Sequence, residues 1–291
     1  MKDNMKQLIE YALFKKIWIL VHILPTKVSH LLGKTLFLFF RIFVNSRYKI
    51  LISNLKLAFP EKSYKEIQLF STKVWENIWQ TFEEFVNILA YDINNVLKYV
   101  EIENEELIRK YKNDKIKPLL VTGHIGNWEM MSMALAKAGY PVAAIVQDIK
   151  NKYINGLIKK VRESSGGILI SRTNSIEYIL KHIEKGFYII ILIDQRLTYH
   201  GVKVSFFSHH ATSTPIVSIL ARRYNLPVIL LHNYREKNKL KIKIGPQITF
   251  HKSNNLQKDI TWFTQILTNY IETFVKEHPE QWFWLHNRWK I

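Results

Sequence analysis

The chain has 291 residues, 47% of them hydrophobic and none of them cysteine, which excludes an extended disordered chain, a disulfide-stapled scaffold and thiolate chemistry. Its 42 Lys and Arg against 24 Asp and Glu leave a net charge of +18, so its partners are expected among polyanions: anionic lipid headgroups, nucleic acid or acidic proteins. The 8 Trp, 14 Tyr and 16 Phe suit a membrane interface as well as stacked bases, so position along the chain has to decide.

Residues 1–60 hold ten Lys and Arg but two acids, Asp3 and Glu10, interleaved with apolar runs at 17–24 and 36–40. This reads as a basic amphipathic arm that associates with a membrane, ahead of a single domain over 61–291. It is not a secretory signal, because charges recur throughout and no small-residue cleavage site follows. Residues 28–44 would cross a thin bilayer only with Lys34 inside it, whereas a span takes about 20 mostly apolar residues. A pair of helices lying in the interface fits better; the alternative is that the apolar runs pack on the domain and their charges are solvated.

Next, Ser63-x-x-Glu66 has the form of a capping box, and Ile67, Phe70, Val74, Ile78, Phe82, Phe85 and Leu89 recur at three- and four-residue steps. The spacing predicts one long helix over 63–91, with Trp75, Trp79 and Phe82 in the core or against lipid. From residue 99 the period changes. Strands are expected at 99–103, 118–122, 142–146, 168–170, 187–193, 227–231 and 240–244, and helices at 127–138, 151–164, 175–185 and 212–224. Continuous apolar runs such as 187–193 belong to strands covered on both faces. The class is α/β, with a mostly parallel central sheet flanked by helices. The tail, with Trp282, Trp284, Trp289, Arg288 and Lys290, reads as a closing strand packed on that sheet.

In such a sheet, ligands gather beyond the carboxyl ends of the strands. His124 falls there, after strand 118–122, in a turn containing Gly123 and Gly126. Asn127 is a helix N-cap, and Glu129 lies in the first helical turn, where the dipole favours a carboxylate. A bend at Gly126 would bring Glu129 to the imidazole; a carboxylate there fixes the tautomer and raises the basicity of the far nitrogen, as a general base for a hydroxyl requires. Backbone N–H groups of the 126–128 turn are candidate oxyanion donors. Arg162, Arg172, Asp194 and Arg196 reach the same rim if their strands are parallel, and arginine forks suit phosphates. Met130, Met131 and Met133 read as core. Neither a Gly-x-Ser-x-Gly elbow nor a His-Glu-x-x-His motif occurs, so neither an acyl-enzyme nor a metal or other cofactor is expected.

The segments RYKILISNLKLAFPE, TGHIGNWE, RESSGGILISR, ILIDQR, VKVSFFSHHATSTPIVSILARR and HPEQWFWLHNRWK, in that order over nearly the whole chain, resemble the bacterial lipid A biosynthesis acyltransferase family, the late lauroyl and myristoyl transferases acting on Kdo-lipid A. The resemblance implies a fold like that of the glycerolipid acyltransferases and an enzyme at the cytoplasmic face of the inner membrane. It would move a fatty acyl chain from acyl carrier protein to a hydroxyl of a lipid A precursor without a cofactor. His124 then matches the catalytic histidine and Glu129 its acidic partner, while Arg162 matches an arginine the family uses near the substrate and Asp194 falls at a family acid. Arg172, Asn127 and Arg196 join them as substrate-binding candidates, and nucleic acid is not an expected partner. Ser208 departs from the pattern, standing where a Gly commonly follows Phe206-Phe207, and Gln195 stands where relatives vary. The alternatives are an acyltransferase of the same fold with another phospholipid or glycolipid acceptor, and a non-catalytic protein that binds anionic lipid.

Overall fold

The computed structural model describes residues 2–87, 93–174, 176–237 and 239–289. The end of the expected long helix at 88–91, the helix start at Ser175 and the tail residue Lys290 lie outside the described residues. Four helices come first: α1 (Lys2–Ile23), α2 (Thr26–Phe43), α3 (Asn45–Ala58) and α4 (Tyr64–Asn87). There follow β1 (Val100–Glu103), α5 (Glu106–Asn113), β2 (Leu119–Thr122), α6 (Trp128–Lys137), β3 (Val142–Val146), α7 (Lys152–Glu163) and β4 (Ile168–Ser171). The chain continues through α8 (Ile176–Glu184), β5 (Tyr188–Leu192), β6 (Val202–Phe206), β7 (His209–Ser213) and α9 (Ile216–Tyr224). It closes with β8 (Val228–Glu236), β9 (Lys239–Ile248) and α10 (Leu256–Glu277).

Seven strands form one sheet in the order β1-β9-β8-β2-β5-β3-β4. Every pairing is parallel except β8 with β9, which form a hairpin. Strand periodicity assigns the faces: Leu119, Val121, Ile189, Ile191, Val228 and Leu230 point into one core, and Leu120, Ile190, Ile229 and Leu231 into the other. The helices covering the first face include α9 and α10, through Val217, Leu220, Phe263, Leu267 and Ile271. The second face is covered by α6 and α7, through Met131, Met133, Ala134, Ile158 and Val161. The three methionines read as core are buried.

The capping box at the start of α4 forms as the sequence indicates: the Ser63 N–H donates to Glu66 Oε2 at 2.8 Å, and the Glu66 N–H donates to Ser63 Oγ at 3.3 Å. The helix then bridges both cores, with Ile67, Phe70 and Val74 in the first and Trp79, Phe85 and Val86 in the second. The N-terminal helices lie against it. Trp75 donates from Nε1 to Gly33 O at 2.9 Å, and a Cβ on Gly33 would lie 2.5 Å from the Trp79 ring, so α2 approaches α4 as only glycine allows. Leu51 and Leu55 of α3 are buried in the main core. No single described helix is long and apolar enough to cross a membrane; α2 and α3 pass such a test as a pair bent by 96°, with Leu51 and Leu55 of α3 buried in the core. By contrast Leu31, Leu38, Phe39, Ile42 and Phe43 of α2 are exposed.

Four elements differ from the sequence expectation, and the first, α5, has no counterpart in it. α10 has no counterpart in it, although Ile260, Phe263, Leu267, Ile271 and Val275 recur at helical steps; interspersed Thr, Trp and Tyr, which favour strands, blur the period. The hairpin β6–β7 takes the first residues expected for helix 212–224, and the helix starts only after Pro215, whose fixed φ suits a helix start. Its turn places Phe207 at φ 50° and Ser208 at φ 60°, the left-handed pair of a type I′ turn. This is why a glycine suits the position that Ser208 fills here. The described residues of the C-terminal tail form no strand: after a 3-10 turn at Pro279–Gln281 they bridge Ile125 through Trp282 and otherwise pack by the buried Trp282, Trp284 and Trp289.

Candidate active site

β2 ends at Thr122, and the turn that follows is built for close approach. A Cβ on Gly123 would lie 3.1 Å from Asp194 Oδ2, so the missing side chain lets the carboxylate reach the backbone. Gly126 sits at φ 59°, and a Cβ there would lie 2.6 Å from Asn233 O. Between them stands His124. Phe283 of the tail donates its N–H to His124 O at 2.9 Å, and Gly126 donates its own to Gln281 O at 3.0 Å. The tail thus clamps the turn from outside the sheet. Asn127 caps α6 by accepting the Met130 N–H at 2.9 Å.

The carboxylate on the imidazole is that of Asp194, which follows β5, the strand next to β2. Its Oδ1 lies 2.7 Å from His124 Nδ1, and its Oδ2 accepts the His124 backbone N–H at 2.7 Å and Trp282 Nε1–H at 2.7 Å. Asp194 is 3% exposed. Burial by itself would push this carboxyl up, but the facing imidazole and the hydrogen bonds from His124 and Trp282 outweigh it and hold the carboxyl well below the usual carboxylate range. An ionised Asp194 takes Nδ1–H as donor and leaves Nε2 with its lone pair toward the cavity. There the Gln195 amide stands 3.1 Å from it.

The expected pairing of Glu129 with His124 is therefore corrected. Glu129 points instead to Arg162 of α7, accepting Nε at 2.7 Å and Nη2 at 2.6 Å in a bidentate fork. The reason is geometric: parallel pairing of β2 with β5 delivers Asp194 beside the first residue of the turn, while α6 carries Glu129 on toward α7. Burial opposes the charge on Arg162, but the Glu129 contacts prevail and raise its pKa.

His124, Glu129, Arg162, Arg172, Gln195 and Arg196 line one cavity of about 560 Å³. Its polar rim passes into an apolar wall of Ala144, Ile145, Leu169, Ile190, Ile191 and Ile216, which extends over the carboxyl ends of β3, β4 and β5. Trp128 meets the His124 ring edge-on at 5.3 Å. Arg172 is exposed, with Nη1 on Gln147 Oε1 at 3.0 Å, and the Arg196 backbone N–H donates to His286 Nε2 at 2.8 Å. Asn127 does not line the cavity: it is fully buried, and its Nδ2 donates to Glu84 Oε2 at 2.6 Å on the far side of the turn. The Gly126 N–H, spent on Gln281, is not free for an oxyanion; the Asn127 cap leaves the first-turn N–H groups of Trp128 and Glu129 at that end of the helix.

Trp282, Phe283 and Gln281, which hold the turn, carry no sequence signal of that role, since only the fold brings the tail to β2. Among the described residues, the His and Glu donors that converge within 4.8 Å are those of His232, Glu277 and His278, and none lines the cavity.

The sequence profile described as bacterial lipid A biosynthesis acyltransferase matches residues 2–291. A protein of Shigella flexneri named lipid A biosynthesis acyltransferase 2 is 24% identical over 238 residues, covering 80% of this chain and 74% of its own length. A lipid A biosynthesis acyltransferase of Haemophilus influenzae is 23% identical over 236 residues, covering 80% and 72%.

Proposed function

Because this chain belongs to the bacterial lipid A biosynthesis acyltransferase family, whose members transfer acyl groups in lipid A synthesis, we propose that its donor is acyl carrier protein and that His124 is the general base. The acceptor is a hydroxyl of a lipid A precursor. The observation that carries this reading is the line Asp194–His124–cavity: an ionised, buried carboxylate on Nδ1 and a basic Nε2 facing a space with a polar rim and an apolar wall.

The acceptor hydroxyl displaces the Gln195 amide from Nε2. Nε2 takes the hydroxyl proton as the oxygen attacks the thioester carbonyl carbon. Negative charge gathers on the carbonyl oxygen, where the first-turn N–H groups of α6 and the positive end of its dipole lie. Asp194 stabilises the imidazolium that forms. When the carbon–sulfur bond breaks, the imidazolium returns the proton to the departing thiolate, leaving an ester and a free thiol. The fork between Glu129 and Arg162 keeps the guanidinium at the cavity, where with Arg172 and Arg196 it meets phosphates of the acceptor. The apolar wall takes the acyl chain.

The exposed apolar side chains of α2, with those of α1 such as Leu8, Ile9 and Leu13, support attachment to the cytoplasmic face of the inner membrane. Purified protein is to be incubated with acyl carrier proteins of several chain lengths and a tetraacylated lipid A precursor, and the product weighed by mass spectrometry. A pentaacylated product that His124→Ala fails to form supports the reading. Acylation of a phospholipid or glycolipid in its place moves the acceptor, and undiminished turnover by His124→Ala ends the base assignment.

A further inference from the structure

The turn that carries His124 is gripped on the side away from the cavity by a polar network centred on Arg235 of β8. Arg235 donates from Nε to Glu84 Oε1 at 2.9 Å, from Nη2 to Glu84 Oε2 at 2.7 Å and Thr81 Oγ1 at 2.8 Å, and from Nη1 to Asn77 Oδ1. Its side chain is 9% exposed and does not line the cavity.

Each of these acceptors also holds the turn or the tail beside it. Thr81 Oγ1 stands 3.1 Å from Gly126 O and 2.9 Å from Asn77 O, with one proton shared between the two carbonyls, and Glu84 Oε2 accepts from the Asn127 cap at 2.6 Å. Asn77 Nδ2 donates to Gln281 O at 3.1 Å, the carbonyl that also accepts the Gly126 N–H. The Gln281 side chain closes the ring on the Arg235 backbone, accepting its N–H at 2.7 Å and donating to its carbonyl at 3.0 Å. Gly126 is thus held through both its N–H and its carbonyl, and Asn127 through its side chain, by groups that converge on one guanidinium.

We infer that Arg235 is a positioning residue for acyl transfer, fixing through Thr81, Glu84, Asn77 and Gln281 the turn that carries His124 and leads into α6. The kinetic half of this inference rests on the function proposed above, and the geometric half does not. Arginine suits the position because one planar fork directs N–H groups at separate acceptors, which the compact ammonium of lysine cannot do. Without it, Asn77 Oδ1 loses its charged donor in a buried place, and Glu84, still bonded to Gln80 and Asn127, loses its counter-charge; both regain partners by shifting away from the turn and tail they hold.

The test compares Arg235→Met and Arg235→Lys with Arg222→Met, which breaks the Arg222–Asp259 ion pair far from the turn. Amide exchange of Gly126 and steady-state kinetics are measured at a temperature where circular dichroism shows each variant folded. Arg235→Met is expected to speed Gly126 exchange at least tenfold with α10 amides unchanged, and to lower kcat at least tenfold with KM for the acceptor within twofold. Arg222→Met loses Tm but keeps kcat. Unchanged Gly126 exchange in folded Arg235→Met overturns the inference, as does an equal kcat loss in Arg222→Met. Should Arg235→Met fail to fold, Arg235→Lys is judged by the same two readings. If the wild-type protein transfers no acyl group, the function has failed and the exchange measurement alone decides the geometric half.

Discussion

Asp194 holds His124 by two handles, side chain and backbone, with one carboxylate oxygen 2.7 Å from Nδ1 and the other 2.7 Å from the backbone N–H. Asp194→Asn keeps the shape but loses the charge that fixes the tautomer. It is expected to lower kcat by roughly 10³- to 10⁴-fold, as loss of the orienting carboxylate does in serine hydrolases, with KM little changed. A loss below tenfold in steady-state assays would show that the imidazole acts without it.

Glu129 and Arg162 form a closed pair, each less than a fifth exposed, so they are expected to act as a unit. Glu129→Ala and Arg162→Ala should each lower kcat/KM by roughly 10²-fold, the scale of about 3 kcal/mol, and the double variant should be no worse than the poorer single one. Fully additive losses in that cycle would mean that the two serve separate steps.

Gly126 cannot accept a side chain without moving Asn233, since the left-handed backbone and the 2.6 Å approach act together. Gly126→Ala should lose roughly 2–3 kcal/mol of stability and several degrees of Tm. Calorimetry giving a wild-type Tm would refute this account of the turn.

His286 accepts the Arg196 N–H, and burial, the largest influence on it, pushes its pKa down from 6.5 to about 4. The unfolded chain therefore takes up a proton between those values that the folded chain refuses, so stability should fall as pH drops from 6.5 toward 4. Burial pushes His232 down to about 3, which adds the same trend. Denaturant titrations should find a shallower decline in His286→Gln, and an unaltered slope would contradict the neutral state of the ring.

Phe39, Ile42 and Phe43 of α2 are 55%, 69% and 67% exposed, while the opposite side of the helix is held to α4. Replacing the three with Glu should strongly reduce sedimentation with anionic vesicles without lowering Tm, because no core packing is lost. Binding that persists would put the attachment on α1 or elsewhere.

Local pattern determined much of this protein. The capping box of α4, the two-faced strands β2, β3 and β5, and the His124 turn with its two glycines were all readable, because helix period, apolar runs and glycine spacing are properties of adjacent residues. The position of Asp194 after a buried strand was readable too, but not its partner. Which carboxylate meets the imidazole depends on β5 lying next to β2, a pairing between residues 70 apart in sequence. The same holds for the diversion of Glu129 to Arg162, for Arg235 behind the turn, and for the tail residues Gln281 and Trp282 that clamp it. Such contacts follow from strand order and helix packing, which no single segment encodes, and only the tertiary structure decides them.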